Sequence, residues 1–199
     1  MTRAWAEHSP DSRVVETMMQ QALRTQRMLW ASILLTTVVL AAVLLAGIRA
    51  PEAERQDVLL PVLSALGLVV SIMSFAVPRY IHAQALARLQ LPTTLEPDPT
   101  AEAPIHQKDL PPRKVVADPD LARRRAATVF QTPFILSLAL SEAVGLFGFV
   151  LGFLGFELSA VAAFFVVSWG LIVTRFPTEE RMVAPLERAL GARVPRSSN

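Results

Sequence analysis

The chain has 199 residues, of which 52% are hydrophobic and 18% charged, and it carries a formal net charge of +2. That apolar share is too high for an ordinary soluble domain, and the charges are segregated: long charge-free runs alternate with arginine-rich ones. Cysteine is absent, which excludes a disulfide framework, a thiolate nucleophile and a sulfur metal site.

Crossing a hydrocarbon core of about 30 Å takes roughly 20 apolar residues in a helix. Runs at 28–48, 58–77, 133–153 and 158–174 reach or approach that length. Lipid offers backbone amides no hydrogen bonds, so such runs must be helical, and nothing alternates at period two as a barrel strand would. The expected fold is all-α: a polytopic membrane protein with four transmembrane helices and helical extensions on the cytoplasmic side. Its parts are a cytoplasmic or interfacial N-terminal helix at 1–27, a first pair of spans at 28–77, a cytoplasmic loop at 78–132, a second pair at 133–174 and a tail at 175–199.

In chain order, Ser9-Pro10-Asp11 is a helix start: a capping hydroxyl, a proline in the first turn, and an acid at the positive end of the dipole. Val14, Val15, Met18, Met19, Ala22 and Met28 then recur at helical spacing, and no Gly or Pro interrupts before Gly47. One helix from about residue 10 to 48 follows, its first part at the membrane interface or simply prolonging the first span. The apolar run is longer than the core of a cleaved signal peptide, so it reads as an uncleaved signal-anchor. A short polar turn, 49–57, leads to the second span, where Ser64, Gly67, Ser71 and Ser74 form one small-residue face suited to close approach of another helix.

Beyond Pro78 the helix continues with a polar face. Between residues 91 and 119 seven prolines stand among Thr, Asp, Glu and Ala, a composition that cannot bury a core and reads as linker. Asp118-Pro119-Asp120 starts the next helix, which carries Arg123, Arg124 and Arg125 into the third span. No aromatic residues are interleaved with these arginines, so a nucleic-acid partner is not expected.

In the third span Ser137, Ser141, Gly145, Gly148, Gly152 and Gly155 repeat every three or four residues, and the fourth span offers Ser159, Ala163, Val166 and Gly170 as a matching face. Only 154–157 separates the two runs, so an antiparallel hairpin closed through these small faces is expected. In the tail, Thr178 caps a short helix with Glu179 and Glu180 in its first turn, an apolar edge of Met182, Leu186 and Leu190, and Gly191 at its end; it can lie on the membrane or against the N-terminal helix.

Lys and Arg set the orientation. Seventeen of the nineteen fall before the first span, in the central loop or in the tail; only Arg49 and Arg55 fall on the other side. Both termini and the long loop should therefore be cytoplasmic in the cell inner membrane.

Glu142 is the one charged residue inside the spans, about 14 Å along the helix from Pro133 and so near the bilayer midplane. A charged acid there costs at least ~2.5 kcal/mol, and no Lys, Arg or His lies within a span to offset it. It is the one candidate for ion binding, and it points about a quarter turn from the glycine stripe, with Leu138, Phe149 and Ile135. The stretch FILSLALSEAVGLFGFVLGFL resembles the ion-binding helix of rotary ATP synthase c subunits, which aligns Glu142 with the ion-carrying acid and implies proton or cation translocation by an oligomer. In those subunits the acidic helix is the second of its hairpin; here it is the first. The overall layout also resembles small uncharacterised four-span bacterial inner-membrane proteins.

No GxSxG, HExxH or phosphate loop occurs, and His8, His82 and His106 lack ligand spacing, so neither an enzyme nor a metal or cofactor site is expected. The expectation is a non-catalytic scaffold or accessory subunit, in a homo-oligomer or with a membrane-protein partner, packing through its small-residue faces. A proton- or cation-translocating oligomer working through Glu142 is the alternative.

Overall fold

The computed structural model describes residues 12–47, 58–96 and 113–194. The helix start at residues 9–11 and the polar turn at 49–57 lie outside them. Among the described residues five helices and two short strands follow in the order α1 (Ser12–Leu45), α2 (Leu59–Ala87), β1 (Thr93–Glu96), β2 (Arg113–Val116), α3 (Pro119–Phe153), α4 (Leu158–Val173) and α5 (Glu179–Leu190). Three of these, α1, α2 and α3, are long and apolar enough to cross a membrane. The fourth apolar run forms α4, whose 16 residues span about 24 Å at 1.5 Å per residue. Pro61 falls in the first turn of α2, where its missing amide costs nothing, whereas Pro78 and Pro133 sit inside α2 and α3 without ending them.

The chain divides into two compact units. The larger comprises 24–83 and 130–177, and α3 is its central helix: 44% of its most apolar window is buried, against 11% for α1 and for α2. One apolar cluster joins Leu44 of α1 to Val144 and Leu151 of α3 and to Val161, Phe164, Phe165 and Leu171 of α4, with Leu60, Leu63 and Val70 of α2 at its side. A second gathers Phe134, Leu138 and Ile172 against Leu29, Trp30, Ile33 and Leu34. The outward faces are as greasy as the interior, with Leu35, Leu68, Ile72, Val166 and Val173 all more than half exposed. Among the described residues, only Leu95 and Leu121 of the exposed large apolar side chains belong to the other unit. Such a surface is stable in hydrocarbon, not in water.

The smaller unit is built from the described parts of 1–23, 84–129 and 178–199. Here the expectation of a featureless linker across 91–119 is corrected at both ends. Thr93–Glu96 and Arg113–Val116 pair antiparallel, Thr93 opposite Val116, and a parallel bridge adds Arg193 beside Val115. Val116 is buried with Ala122, Ala126, Leu186, Ala192 and Val194. β-Branched residues at each end of the proline-rich stretch supply the strand preference, so the expected all-α fold gains a small sheet. Residues 97–112 lie outside the described ones.

Local chemistry starts the helices of this unit. Asp118 Oδ1 accepts from the amides of Asp120 at 3.0 Å and Leu121 at 2.9 Å, capping α3. Thr178 Oγ1 accepts from the Arg181 amide at 3.4 Å, and Gly191 closes α5 in the left-handed region at φ 58°, where a side chain would be strained. Met182 and Leu186 are wholly buried. α5 therefore docks in the core of this unit through Leu186. Glu187 Oε1 accepts from the Val194 amide at 2.9 Å and ties down the last described residue.

Candidate functional site

Two features of the larger unit invite a functional reading: the small-residue contact of α3, and Glu142 beside it. In α3, Ser137 donates to the Phe134 carbonyl and Ser141 to the Ser137 carbonyl, both at 2.7 Å, so neither hydroxyl is left unsatisfied in an apolar setting. From α4, Ser168 Oγ donates to the Ser141 carbonyl at 2.8 Å. Trp169 Nε1 donates to Thr37 Oγ1 of α1 at 3.1 Å, and Thr37 in turn donates to the Leu34 carbonyl at 2.9 Å. Gly145 leaves room for this meeting of three helices: a Cβ there would lie 3.0 Å from Ser168 Oγ and 3.5 Å from Thr37 Cγ2.

Further along α3 the partners are large. A Cβ on Gly148 would stand 2.6 Å from Phe164 Cβ, and one on Gly152 would stand 2.5 Å from Leu44 Cδ1. On α2, Gly67 receives the far edge of the same Phe164 ring, at 3.0 Å from Cε1. Phe164 is thus held between glycines of two helices. The expected pairing of small face on small face is corrected here: Ser159, Ala163, Val166 and Gly170 of α4 are exposed, and Val161, Phe164 and Ser168 are the buried residues that meet α3. The reason is volume. The room left at Gly148 is taken by Phe164, and that at Gly152 by Leu44 of α1 and Val161 of α4, so the interface is close-packed by large side chains set into glycines.

The remaining small residues divide. Ser74 is fully buried and Ser71 half-buried; their hydroxyls donate to the Ser71 and Gly67 carbonyls at 2.7 Å. Ser64 is exposed. Ser159 donates to Glu157 Oε2 at 3.3 Å. Gly155 sits at φ 84° in the turn between α3 and α4, a conformation suited to glycine, and a Cβ on Gly170 would touch nothing within 4 Å.

Glu142 is half-buried and lies in register with the exposed Ile135, Ala139, Leu146, Val150 and Phe153, on the outer side of α3. Leu138, one turn before it, is fully buried, so the carboxyl stands at the margin between interior and outer face. Among the described residues it has no hydrogen-bond or ion-pair partner, and no group of three or more His, Cys, Asp or Glu gathers to hold a metal.

Sequence reasoning missed a polar rim where α4 ends. Trp30 Nε1 donates to the Ile172 carbonyl at 2.7 Å, its ring stands edge-on to Phe176 at 5.2 Å, and Arg27 lies over Phe176 at 5.5 Å. Arg175 Nη2 donates to Ser74 Oγ at 3.0 Å, and its guanidinium lies over the Phe75 ring at 4.7 Å. Burial first, and then the neighbouring Arg79 charge, lower the Arg175 pKa to about 10, well below the usual guanidinium range. The signal was present in the sequence as an arginine directly after an apolar run; its partners, a hundred residues earlier, were not.

Compared with models of protein families, with curated proteins and with solved structures, the chain matches none.

Proposed function

We propose that this is a non-catalytic, multi-pass protein of the cell inner membrane, a scaffold or accessory subunit whose helices assemble through the small-residue faces of α2 and α3. α1, α2, α3 and α4 each cross the bilayer, α3 and α4 as an antiparallel hairpin, with both termini and the β1–β2 segment in the cytoplasm. The observation that carries the reading is the use made of interior polar groups. Thr37, Ser137, Ser141, Ser168 and Trp169 donate to helix carbonyls or to one another, so they serve packing rather than waiting on a substrate. The lysine and arginine distribution supports the orientation. A homo-oligomer or a membrane-protein partner covers the outer face of α3.

The second reading is a proton- or cation-translocating oligomer like a c subunit, and Glu142 favours it: an acid without a partner on an outward apolar face needs a neighbouring copy, a proton or a cation. Glu142→Gln separates the two. A scaffold stays assembled and active, whereas a conductor loses proton flux in proteoliposomes and loses labelling by a hydrophobic carbodiimide.

Topology has its own test, made clean by the absence of cysteine. Gln90→Cys and Ala189→Cys, both at exposed positions, should react with an impermeant maleimide in inverted membrane vesicles and stay unlabelled in intact spheroplasts. Labelling of the two from opposite sides would mean that α4 does not cross.

A further inference from the structure

Arg79 and Arg175 are two cations gathered on one aromatic ring. Their guanidinium carbons lie 5.7 and 4.7 Å from the Phe75 centroid, and among the described residues neither has a carboxylate partner. The Arg79 charge acts against that of Arg175, and partial burial strengthens the repulsion. Nor is Arg175 free to swing away. Ser74 Oγ accepts from its Nη2 while donating to the Ser71 carbonyl at 2.7 Å, and its Nε is shielded from solvent with no acceptor. The arrangement keeps positive charge in place, with no compensating carboxylate among the described residues. Around it the surface is apolar: Ile72 and Val173 are more than half exposed, and Phe75 and Phe176 are 41% and 40% exposed.

We propose that Arg79 and Arg175, positioned by Ser74 and Phe75, bind the phosphate group of a membrane phospholipid. A phosphate supplies the missing negative charge and several acceptor oxygens, and planar guanidinium forks match it geometrically. Acyl chains attached to it would run along the exposed apolar faces of α2 and α4. An acidic protein segment could also meet two arginines, but it would leave those faces uncovered, whereas a lipid satisfies both surfaces at once. The proposal rests on reading α2 and α4 as membrane helices and adds a ligand to them.

The test uses the full chain, purified and delipidated in a non-ionic detergent. Phosphatidylglycerol, diacylglycerol and inorganic phosphate are titrated separately, with retained ligand read by native mass spectrometry and stability by the thermal midpoint. Phosphatidylglycerol should be retained and raise the midpoint; diacylglycerol, with the same chains and no phosphate, should do neither, and inorganic phosphate should have little effect. Arg79 is exposed, so Arg79→Gln should fold normally and bind phosphatidylglycerol roughly tenfold more weakly, the effect of losing a charge-assisted contact. Arg188→Gln, on exposed α5 surface, should bind as the unaltered chain does. Equal retention of diacylglycerol, unchanged binding by Arg79→Gln, an equal loss in Arg188→Gln, or an equal response to inorganic phosphate would each overturn the site. Recovery of the protein outside the membrane fraction would instead overturn the membrane reading beneath it.

Discussion

Phe164, gripped between Gly67 and Gly148, makes single methyl groups informative. In Gly148→Ala the new methyl meets Phe164 Cβ at 2.6 Å and the Val161 carbonyl at 3.3 Å, positions set by the α4 backbone; the expected loss is about 1–3 kcal/mol. In Gly152→Ala the clash is with Leu44 Cδ1, the tip of a side chain that can rotate away, so the loss should be smaller. Gly170→Ala, with nothing near, should change stability little. Thermal midpoints in detergent should rank the three in that order, and a Gly152→Ala loss as large as that of Gly148→Ala would contradict the packing described. Ser168→Ala removes the hydrogen bond to the Ser141 carbonyl and should cost about 0.6–1.7 kcal/mol, the range for such bonds between membrane helices. Arg175 gives a pH dependence of defined sign. Its pKa is depressed to about 10 in the folded chain, so at neutral pH it is charged in both states and its penalty is fully present. Stability should rise as pH climbs above about 10, where the unfolded chain still holds the proton that the folded one has released. Chemical denaturation across that window, wild type against Arg175→Gln, should show the difference narrowing.

Among the elements, α5 is the most legible in the sequence. A threonine followed by two acids, an apolar edge at helical spacing and a closing glycine specify start, face and end within a dozen residues, and Asp118 does the same for the start of α3. Leu186→Ala should remove about 2–5 kcal/mol from the smaller unit, seen as faster proteolysis after α5, with the larger unit's midpoint unchanged. What could not be read were features made by residues distant in sequence. The sheet depends on Thr93 and Thr94 finding Val115 and Val116 across a long intervening stretch, and a composition dominated by proline concealed the four-residue strands at its ends. The buried face of α4 was misjudged for a related reason. Every residue of that helix is apolar or small, so periodicity cannot say which side faces inward; only the volume left by Gly148 and Gly67 selects Phe164. Likewise Arg175 was legible as a marker of the membrane edge, while Ser74 and Phe75, which hold it, were not.

For the molecule as a whole, the two units differ in what their surfaces demand. The larger carries nearly all of the exposed bulky apolar side chains described and should require detergent or lipid throughout purification, while the smaller has a small core of its own. Glu142 belongs to this scale because it stands at the outer margin of α3, where a neighbouring molecule could reach it. Since its carboxyl has no partner within the described chain, Glu142→Gln should shift the monomer's stability by no more than about 0.5 kcal/mol. A larger shift, or a change in particle size by light scattering in detergent, would show that a second copy or another subunit contacts that acid. The small sheet has a quieter consequence. Its inner strand is flanked by β1 on one side and by Arg193 on the other, which leaves the outer margin of β1 unpaired among the described residues, the place where a stray extended chain could add itself. That margin is four residues long, and in the sequence Pro92 precedes it and Pro97 follows it. Prolines at both ends of so short an edge limit the row of amides that an incoming chain could use, a common guard against edge-to-edge pairing.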